Sequence, residues 1–320
     1  MPISENRATP RLALAVLHWK GREHLECLLP TVKSAIEAFG EPCEVLLVDN
    51  GAMADPTTEA WMRDAYPWVE YIASVRNDYL YAYNSLASAR DEDVLIFLND
   101  DLRIDRNFIG PLVKHFTNGD VFAVGATSRD WEDTHFSIGP ARLKSHHGIY
   151  YSDFDRSRQV LSHTLFCSGA CMAVDRRKFL ELGGFNRLFY PAYGEDLDLG
   201  FRAWRHGWRS IFEPASVVYH RESASFDKSQ ARRSKQLMRR AQFLFQWSSL
   251  PPAVSWFERA AMQLVLAWRH WRTGDENWAA NWIKTWIEWQ RLRKHFRWMR
   301  VSSRELQRIC TDIDAPVIDG

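Results

Sequence analysis

Apolar and polar positions along the first hundred residues fall into blocks of two lengths. Short, nearly continuous apolar runs, Leu12 to Leu17, Cys43 to Asp49, Val69 to Val75 and Val94 to Leu98, have the length and β-branched content of buried strands. Between them, Glu23 to Phe39, Pro56 to Ala65 and Leu80 to Arg90 repeat their apolar residues with helical spacing. Strand and helix alternating in this way predict an α/β architecture, with a mostly parallel, Rossmann-like sheet covered by helices on both faces. Two of the predicted strands end in polar turns, Asp49-Asn50-Gly51 and Asn99-Asp100-Asp101. Both turns lie on the carboxyl edge of the sheet, where open α/β sheets bind ligands.

Size and charge refine this outline. The chain has 320 residues, 46% of them hydrophobic and 25% charged, enough for one large core with or without an appendage. The net charge of +1 conceals an asymmetry: residues 227–320 hold 17 Lys+Arg against 9 Asp+Glu, so the first 226 are acidic. An acidic first part argues against a nucleic-acid partner. The opening residues Met1 to Arg7 lack the apolar core of a signal peptide, and no run reaches the ~18 apolar residues of a membrane span. The expected location is the cytoplasm, either free or peripheral at the inner face of the cell membrane. Five cysteines fit reduced core thiols, and Cys167 with Cys171 lack the partner pair of a zinc site.

The tail is different material, with 9 of the 15 tryptophans. Trp271, Trp278, Trp282, Trp286 and Trp289 recur on one predicted helical face, and Arg291, Arg293, Lys294, Arg297 and Arg300 follow as a basic cluster. Such a stripe in 256–300 suits an anionic membrane interface, a homodimer or packing on the first domain. Gly274-Asp275 is expected to turn between two helices.

The candidate chemistry sits in three places. Asp100 and Asp101 are adjacent hard oxygen donors suited to Mg²⁺ or Mn²⁺ on a diphosphate. Glu195 and Asp196 open a predicted helix running through Leu197, Leu199, Phe201 and Trp204. A carboxylate there can cap the helix or serve as a base. His220 ends a predicted strand and can be structural or a ligand. Neither Gly-x-Gly-x-x-Gly nor Gly-x-x-x-x-Gly-Lys-Ser/Thr follows the first strand, which argues against dinucleotide and P-loop enzymes.

Taken in order, Val48-Asp49-Asn50-Gly51, Asn77 with Asn84, Phe97-Leu98-Asn99-Asp100-Asp101, Ser168-Gly169-Ala170-Cys171, Leu182-Gly183-Gly184-Phe185, Tyr193-Gly194-Glu195-Asp196-Leu197-Asp198 and Val217-Val218-Tyr219-His220 carry a resemblance. Over residues 11 to 226 the chain resembles the family 2 glycosyltransferases of GT-A fold, in particular the rhamnosyltransferase-like members that build bacterial surface polysaccharides. The resemblance implies that Asp49 contacts the nucleoside base and that Asn77, Asn84, Asp100 and Asp101 bind the nucleotide sugar. It implies Asp101 and His220 as metal ligands and Asp196 as the base that deprotonates the acceptor hydroxyl. It places Gly169, Ala170, Glu195 and Arg202 on the acceptor side, with Arg202 partnering the acidic motif. Where relatives carry a Gly-Phe-Ala-like stretch between the two asparagines, this chain has Tyr79-Leu80-Tyr81-Ala82-Tyr83. The Gln-x-x-Arg-Trp signature of processive members is absent, so one sugar per event is expected.

The reading is therefore a GT-A domain at 1–226 with a helical Trp/Arg-rich region at 227–320. Its expected activity is inverting, metal-dependent transfer of a sugar from a dTDP-, UDP- or GDP-linked donor to a carbohydrate or lipid-linked glycan, in cell-surface polysaccharide biosynthesis. Two alternatives remain: a catalytically silent nucleotide-sugar-binding or membrane-docking subunit, and a sugar-phosphate nucleotidyltransferase, for which His18-Trp19-Lys20-Gly21-Arg22 poorly replaces a Gly-rich activating loop. The polar stretch from Trp131 to Tyr151, with His135, His146 and His147, is expected to be a flexible acceptor loop with surface histidines.

Overall fold

The computed structural model describes residues 10–146, 149–221, 228–251, 278–293 and 300–317. The chain opens with β1 (Leu12–His18), α1 (Arg22–Phe39), β2 (Cys43–Asp49), α2 (Thr57–Ala65), β3 (Glu70–Ala73), α3 (Ala82–Ala89) and β4 (Val94–Asn99). It continues through β5 (Leu102–Ile104), α4 (Ile109–Val113), β6 (Val121–Asp130), β7 (Phe136–Ile138), β8 (Ala141–His146), β9 (Ile149–Phe154) and β10 (Ser162–His163). There follow β11 (Cys171–Asp175), α5 (Arg176–Glu181), α6 (Glu195–Arg205), β12 (Arg209–His220), α7 (Lys228–Ser248), α8 (Trp278–Leu292) and α9 (Ser303–Asp314). The expected α/β architecture and helical carboxyl-terminal region are both present.

Strand β1 shows why the sheet is covered on both sides. Its even positions, Leu12, Leu14 and Val16, pack with Leu25, Leu28, Leu29 and Val32 of α1. Its odd positions, Ala13 and Ala15, face Tyr83, Leu86 and Ala87 of α3. Alternation at period two sends every second side chain to the opposite layer. The small alanines leave room for Tyr83, whose ring stacks on Phe97 with centroids 4.0 Å apart. Its buried hydroxyl lies 2.9 Å and 3.1 Å from the carbonyl oxygens of Leu98 and Ala15, which satisfies a group that would otherwise be costly to bury.

The large sheet runs β10-β12-β6-β11-β4-β1-β2-β3, with β5 beside β12 and β7 beside β6. From β3 to β4 all pairs are parallel, as expected. Beyond β4 the sheet is mixed, because β11 runs antiparallel to both β4 and β6. Register aligns His18 with Asp49 and Leu17 with Asn99, so three strands end at one edge. On the far side β12 runs antiparallel to β5 with His220 opposite Leu102, which returns the chain to the end of β4.

The stretch from Trp131 to Tyr151 is corrected by the structure: it contains β7 and most of a hairpin, β8 paired with β9. Its polar composition hides an apolar set at alternate positions, Ala141 with Leu143 and Tyr150 with Phe154. These residues pack into a third cluster with Leu165, Phe166, Leu188, Phe189, Phe201 and Trp204. The same cluster takes Ala241, Leu244 and Phe245 from α7, Trp289 from α8 and Leu306, Ile309 and Ile313 from α9. The tryptophan stripe divides accordingly. Trp289 is buried and Trp282 meets Trp247 edge-on at 6.1 Å, whereas Trp286 is 44% exposed. Trp271, Lys294, Arg297 and the Gly274-Asp275 turn lie outside the described residues, as do the side chains of Trp278 and His146 and the whole of His147.

Leu244 is fully buried on α7, whereas Met238, on the same helix, is half exposed. Leu244→Ala is expected to destabilise the chain by about 2–5 kcal/mol and Met238→Ala by less than about 0.5 kcal/mol, as read from denaturant unfolding.

Candidate active site

The convergent strand ends carry the polar groups. Asp49 closes β2 with its carboxylate oriented on both sides: Oδ1 accepts from the Gly51 amide at 2.7 Å and Oδ2 from the Tyr71 hydroxyl at 2.6 Å. A side chain at Gly51 would collide with the Trp19 carbonyl oxygen, 1.9 Å from the Cβ position, so this turn requires glycine. Asn50 donates its side-chain amide to the Tyr79 carbonyl at 3.1 Å, while its buried Oδ1 has no hydrogen-bond partner. Asn77 accepts from the Tyr79 amide at 3.0 Å, so both asparagines lie beside the end of β2. Asn84 is placed differently. On α3 its side chain both donates to and accepts from the backbone of Phe185, at 2.9 and 2.8 Å, and so ties down the loop after α5.

The acidic turn after β4 is held from two directions. Asp100 Oδ2 accepts from Nδ1 of His18 at 2.6 Å, and His18 is only 2% exposed. Asp101 Oδ2 lies 3.2 Å from Nε2 of His220, and its carbonyl accepts from the Arg221 amide at 3.0 Å. The guanidinium groups of Arg103 and Arg221 flank the Trp131 ring, 4.9 and 4.5 Å from its centroid, which brings positive charge to this end of the sheet. Asp101 Oδ1 is buried without a hydrogen-bond partner, so a lone pair there awaits a cation or donor. No group of three or more His, Cys, Asp or Glu forms a closed metal cage among the described residues. Asp101 with His220, supported by Asp100, fits a hard divalent ion that completes its shell with phosphate oxygens.

The third component enters through β11. The Gly169 amide donates to Asp196 Oδ2 at 3.2 Å, and the Ala170 carbonyl accepts from the Asn99 amide at 2.9 Å. One dipeptide thus joins the start of α6 to the acidic turn after β4. A Cβ at Gly169 would meet a Leu80 methyl at 2.6 Å. Asp196 Oδ1 accepts from the Leu197 amide at 2.8 Å. Burial pushes the Asp196 carboxyl above the usual carboxylate range, against these backbone donors. Glu195 is pushed up to about 8, by burial first and then by the charge of Asp196, and its Oε2 has no partner. Arg202 is half-buried behind these acids. It pairs with Asp198 at 2.7 Å and donates to the carbonyls of Leu182 and Gly184 at 2.7 and 2.8 Å, which clamps α6 to the loop after α5.

The structure therefore brings Asp49, Asn77, Asp100, Asp101, Gly169, Ala170, Glu195, Asp196 and His220 to one sheet edge, with Asn84 and Arg202 behind as loop anchors. His18 and Asn50 join them although the motif pattern singled out neither as a site residue. Their signal was the strand-end position itself, since His18 is aligned with Asp49 and Asn50 follows it.

A mixed α/β sheet with acids gathered at its carboxyl edge defines a nucleotide-sugar type of site, and comparison with known proteins makes the class specific. Residues 22–183 match the model of glycosyl transferase family 2, and the chain belongs to that family. The match covers Asp49 through Ala170, whereas Asp196 and His220 lie beyond it. The chain is 27% identical over 253 residues to an N-acetylglucosaminyl-diphospho-decaprenol L-rhamnosyltransferase of Mycobacterium tuberculosis, covering 70% of this chain and 80% of that protein. It is 28% identical over 236 residues to the O-antigen biosynthesis protein RfbC of Myxococcus xanthus, covering 68% of this chain but 18% of the relative. Among solved structures, GalNAc-T7 with UDP, GalNAc and Mn²⁺ superposes with a TM-score of 0.56 at 16% identity over 78% of this chain, which spans about half (49%) of that one. The mannosyltransferase PcManGT of Pyrobaculum calidifontis, with GDP-Man and Mn²⁺, gives 0.56 at 15% identity over 95% of this chain and 79% of its own. These likenesses establish a shared GT-A fold.

Glu195 offers a direct check on the electrostatics. Its carboxyl is protonated in both folded and unfolded chains below the usual carboxylate range, so its stabilising contribution is complete there. Between about pH 4.5 and about 8 the unfolded chain ionises first and stability is lost. Glu195→Gln removes this dependence. Its stability relative to the parent is expected to rise with pH across that window, with a slope approaching ~1.4 kcal/mol per pH unit, measured by denaturant unfolding at several pH values.

Proposed function

We propose that this glycosyltransferase carries out inverting, metal-dependent transfer of a single sugar from a nucleoside-diphosphate donor to a carbohydrate acceptor in the assembly of a cell-surface polysaccharide. The observation that carries the reading is the Gly169–Ala170 bridge. It links a half-buried carboxylate of raised pKa, Asp196, to the acidic turn whose Asp101 and His220 suit a cation on a diphosphate. Inverting displacement needs those two functions on opposite sides of one carbon.

Asp49, with Asn50 and Asn77, takes the nucleoside end. Asp101 and His220 hold a divalent ion, Mn²⁺ or Mg²⁺, with Asp100 assisting under the restraint of His18. When bound, the ion supplies charge neutralisation to the departing diphosphate. Arg103 and Arg221 add fixed positive charge at the same end. Asp196 accepts the proton of the acceptor hydroxyl as its oxygen bonds to the anomeric carbon, while the bond from that carbon to the diphosphate oxygen breaks. The Gly169 amide keeps Asp196 oriented, and Gly169 with Ala170 lines the acceptor side together with Glu195. The named acceptor of the M. tuberculosis relative is lipid-linked, which supports a lipid-linked glycan here.

We assign catalysis to residues 1–226 and surface attachment to the region from 227 onward. No helix among the described residues is long and apolar enough to cross a membrane. On α8, however, Ile283, Trp286 and Ile287 are 52%, 44% and 43% exposed on the face away from the core, with Lys284 and Arg291 beside them. That pattern suits peripheral contact with an anionic leaflet.

Asp196→Asn is expected to lower kcat by about 10²- to 10⁴-fold while nucleoside diphosphate still binds, in a turnover assay with purified donor and glycan acceptor. Donor binding without turnover in the parent, with Asp196→Asn indistinguishable from it, would instead support a silent binding subunit. In the parent, kcat/KM should rise with pH along a limb above the usual carboxylate range, because burial holds the base protonated at lower pH. Asp101→Ala should remove the Mn²⁺ dependence of diphosphate binding in calorimetry. Ile283→Ser combined with Trp286→Ser should abolish cosedimentation with phosphatidylglycerol vesicles and leave kcat on a soluble acceptor unchanged. Undiminished sedimentation would exclude this face as the contact.

A further inference from the structure

Between β3 and α3, Tyr79 adopts a left-handed backbone conformation, with φ of +53°. Bulky side chains rarely occupy this region, which glycine enters freely. The conformation is enforced from both sides of the peptide. The Tyr79 amide donates to Asn77 Oδ1 at 3.0 Å, and its carbonyl accepts from Asn50 Nδ2 at 3.1 Å. Both asparagines belong to the nucleoside end of the site, so the strain is stored at the site itself.

What the strain achieves is visible in the neighbours. The Tyr79 ring meets the Tyr190 ring edge-on, with centroids 5.6 Å apart, and Tyr190 also contacts Tyr81 at 5.5 Å. Tyr190 lies on the loop that leads to Glu195 and Asp196 and is 38% exposed, while Tyr79 is half-buried against the inner cluster, so this aromatic pair runs from the core edge to the surface beside the acids. Asp78 fastens the same two segments through its ion pair with Arg187. The next residue, Leu80, touches the Cβ position of Gly169, whose amide holds Asp196. Residues 79 and 80 therefore connect the two asparagines at the end of β2 with the dipeptide that holds Asp196.

We propose that Tyr79 is a specificity-determining residue: its strained backbone sets the Tyr79–Tyr190 ring pair as a wall against the transferred sugar of the donor. The proposal rests on the glycosyltransferase reading and names the part of the donor that this segment recognises. Aromatic faces and edges suit the C–H surface of a pyranose.

The test compares calorimetric affinities, with Mn²⁺, for dTDP and dTDP-rhamnose, UDP and UDP-glucose, and GDP and GDP-mannose. For the pair that the parent binds, the ratio of the diphosphate Kd to the nucleotide-sugar Kd measures the contribution of the sugar. Tyr79→Gly relieves the backbone and removes the ring. It is expected to keep or raise Tm, hold diphosphate affinity within about twofold, and reduce the sugar ratio by about tenfold. Tyr190→Ala leaves the residue 79 backbone alone and should reduce the same ratio, which keeps the test valid if the glycine variant folds poorly. An unchanged ratio in both variants, with the parent binding its donor normally, overturns the assignment of Tyr79 and leaves the transferase reading intact. A parent that binds none of the six ligands overturns both.

Discussion

Two hydrogen bonds from the backbone of one dipeptide tie the start of α6 to the acidic turn after β4. Gly169 presents its amide to Asp196 and Ala170 presents its carbonyl to Asn99. The bonds can form because β11 is inserted antiparallel beside β4, so its entry turn meets the exit turn of β4. Residues almost a hundred positions apart are thereby joined through one dipeptide, main chain to main chain at Asn99 and main chain to carboxylate at Asp196. That suits a reaction in which a base and a leaving-group site must keep a set separation. Gly169 is constrained further, since Leu80 leaves no space for a side chain.

Around this bridge the site is graded in polarity. The nucleoside end uses neutral amides and a carboxylate that is already satisfied by Gly51 and Tyr71. The diphosphate end keeps an unsatisfied Asp101 oxygen near Arg103 and Arg221. At the start of α6, desolvation raises both Glu195, which is buried, and Asp196, which is half-buried. Arg202 and Asn84 touch none of these ends, yet each fixes the backbone of the Gly184-Phe185 loop through hydrogen bonds from opposite sides.

Much of this was legible in the sequence because it rests on local pattern. The four parallel strands announced themselves as continuous apolar runs, and the polar turns at their ends placed Asp49, Asp100 and Asp101 on the ligand edge. What was not legible depends on contacts distant in sequence. The antiparallel course of β11 leaves no mark on the apolar run from Cys171 to Val174, which reads alike in either direction. The hairpin of β8 and β9 was masked by Lys144, Ser145, Ser152 and Asp153, whose polarity dilutes the alternating Ala141, Leu143, Tyr150 and Phe154. Spacing alone put Trp282, Trp286 and Trp289 on one stripe, but it does not show that α7 buries Trp289 and meets Trp282 while Trp286, stacked on Trp282 with centroids 6.5 Å apart, keeps its outer side exposed. Asn84 shares a motif with Asn77, and only the fold shows that its amide serves Phe185.

The contact beneath Gly194 carries a different consequence. A methyl group at that position would stand 2.9 Å from the Ala241 side chain, so α7 forms the floor under the residue that precedes Glu195 and Asp196. The tail is thus not an interchangeable module. A carboxyl-terminal region grafted from a relative would have to reproduce a small residue at one point of one helix before the acids on the other side could take up their positions. Divergence in the carboxyl-terminal region is therefore limited by the position of the acids it supports.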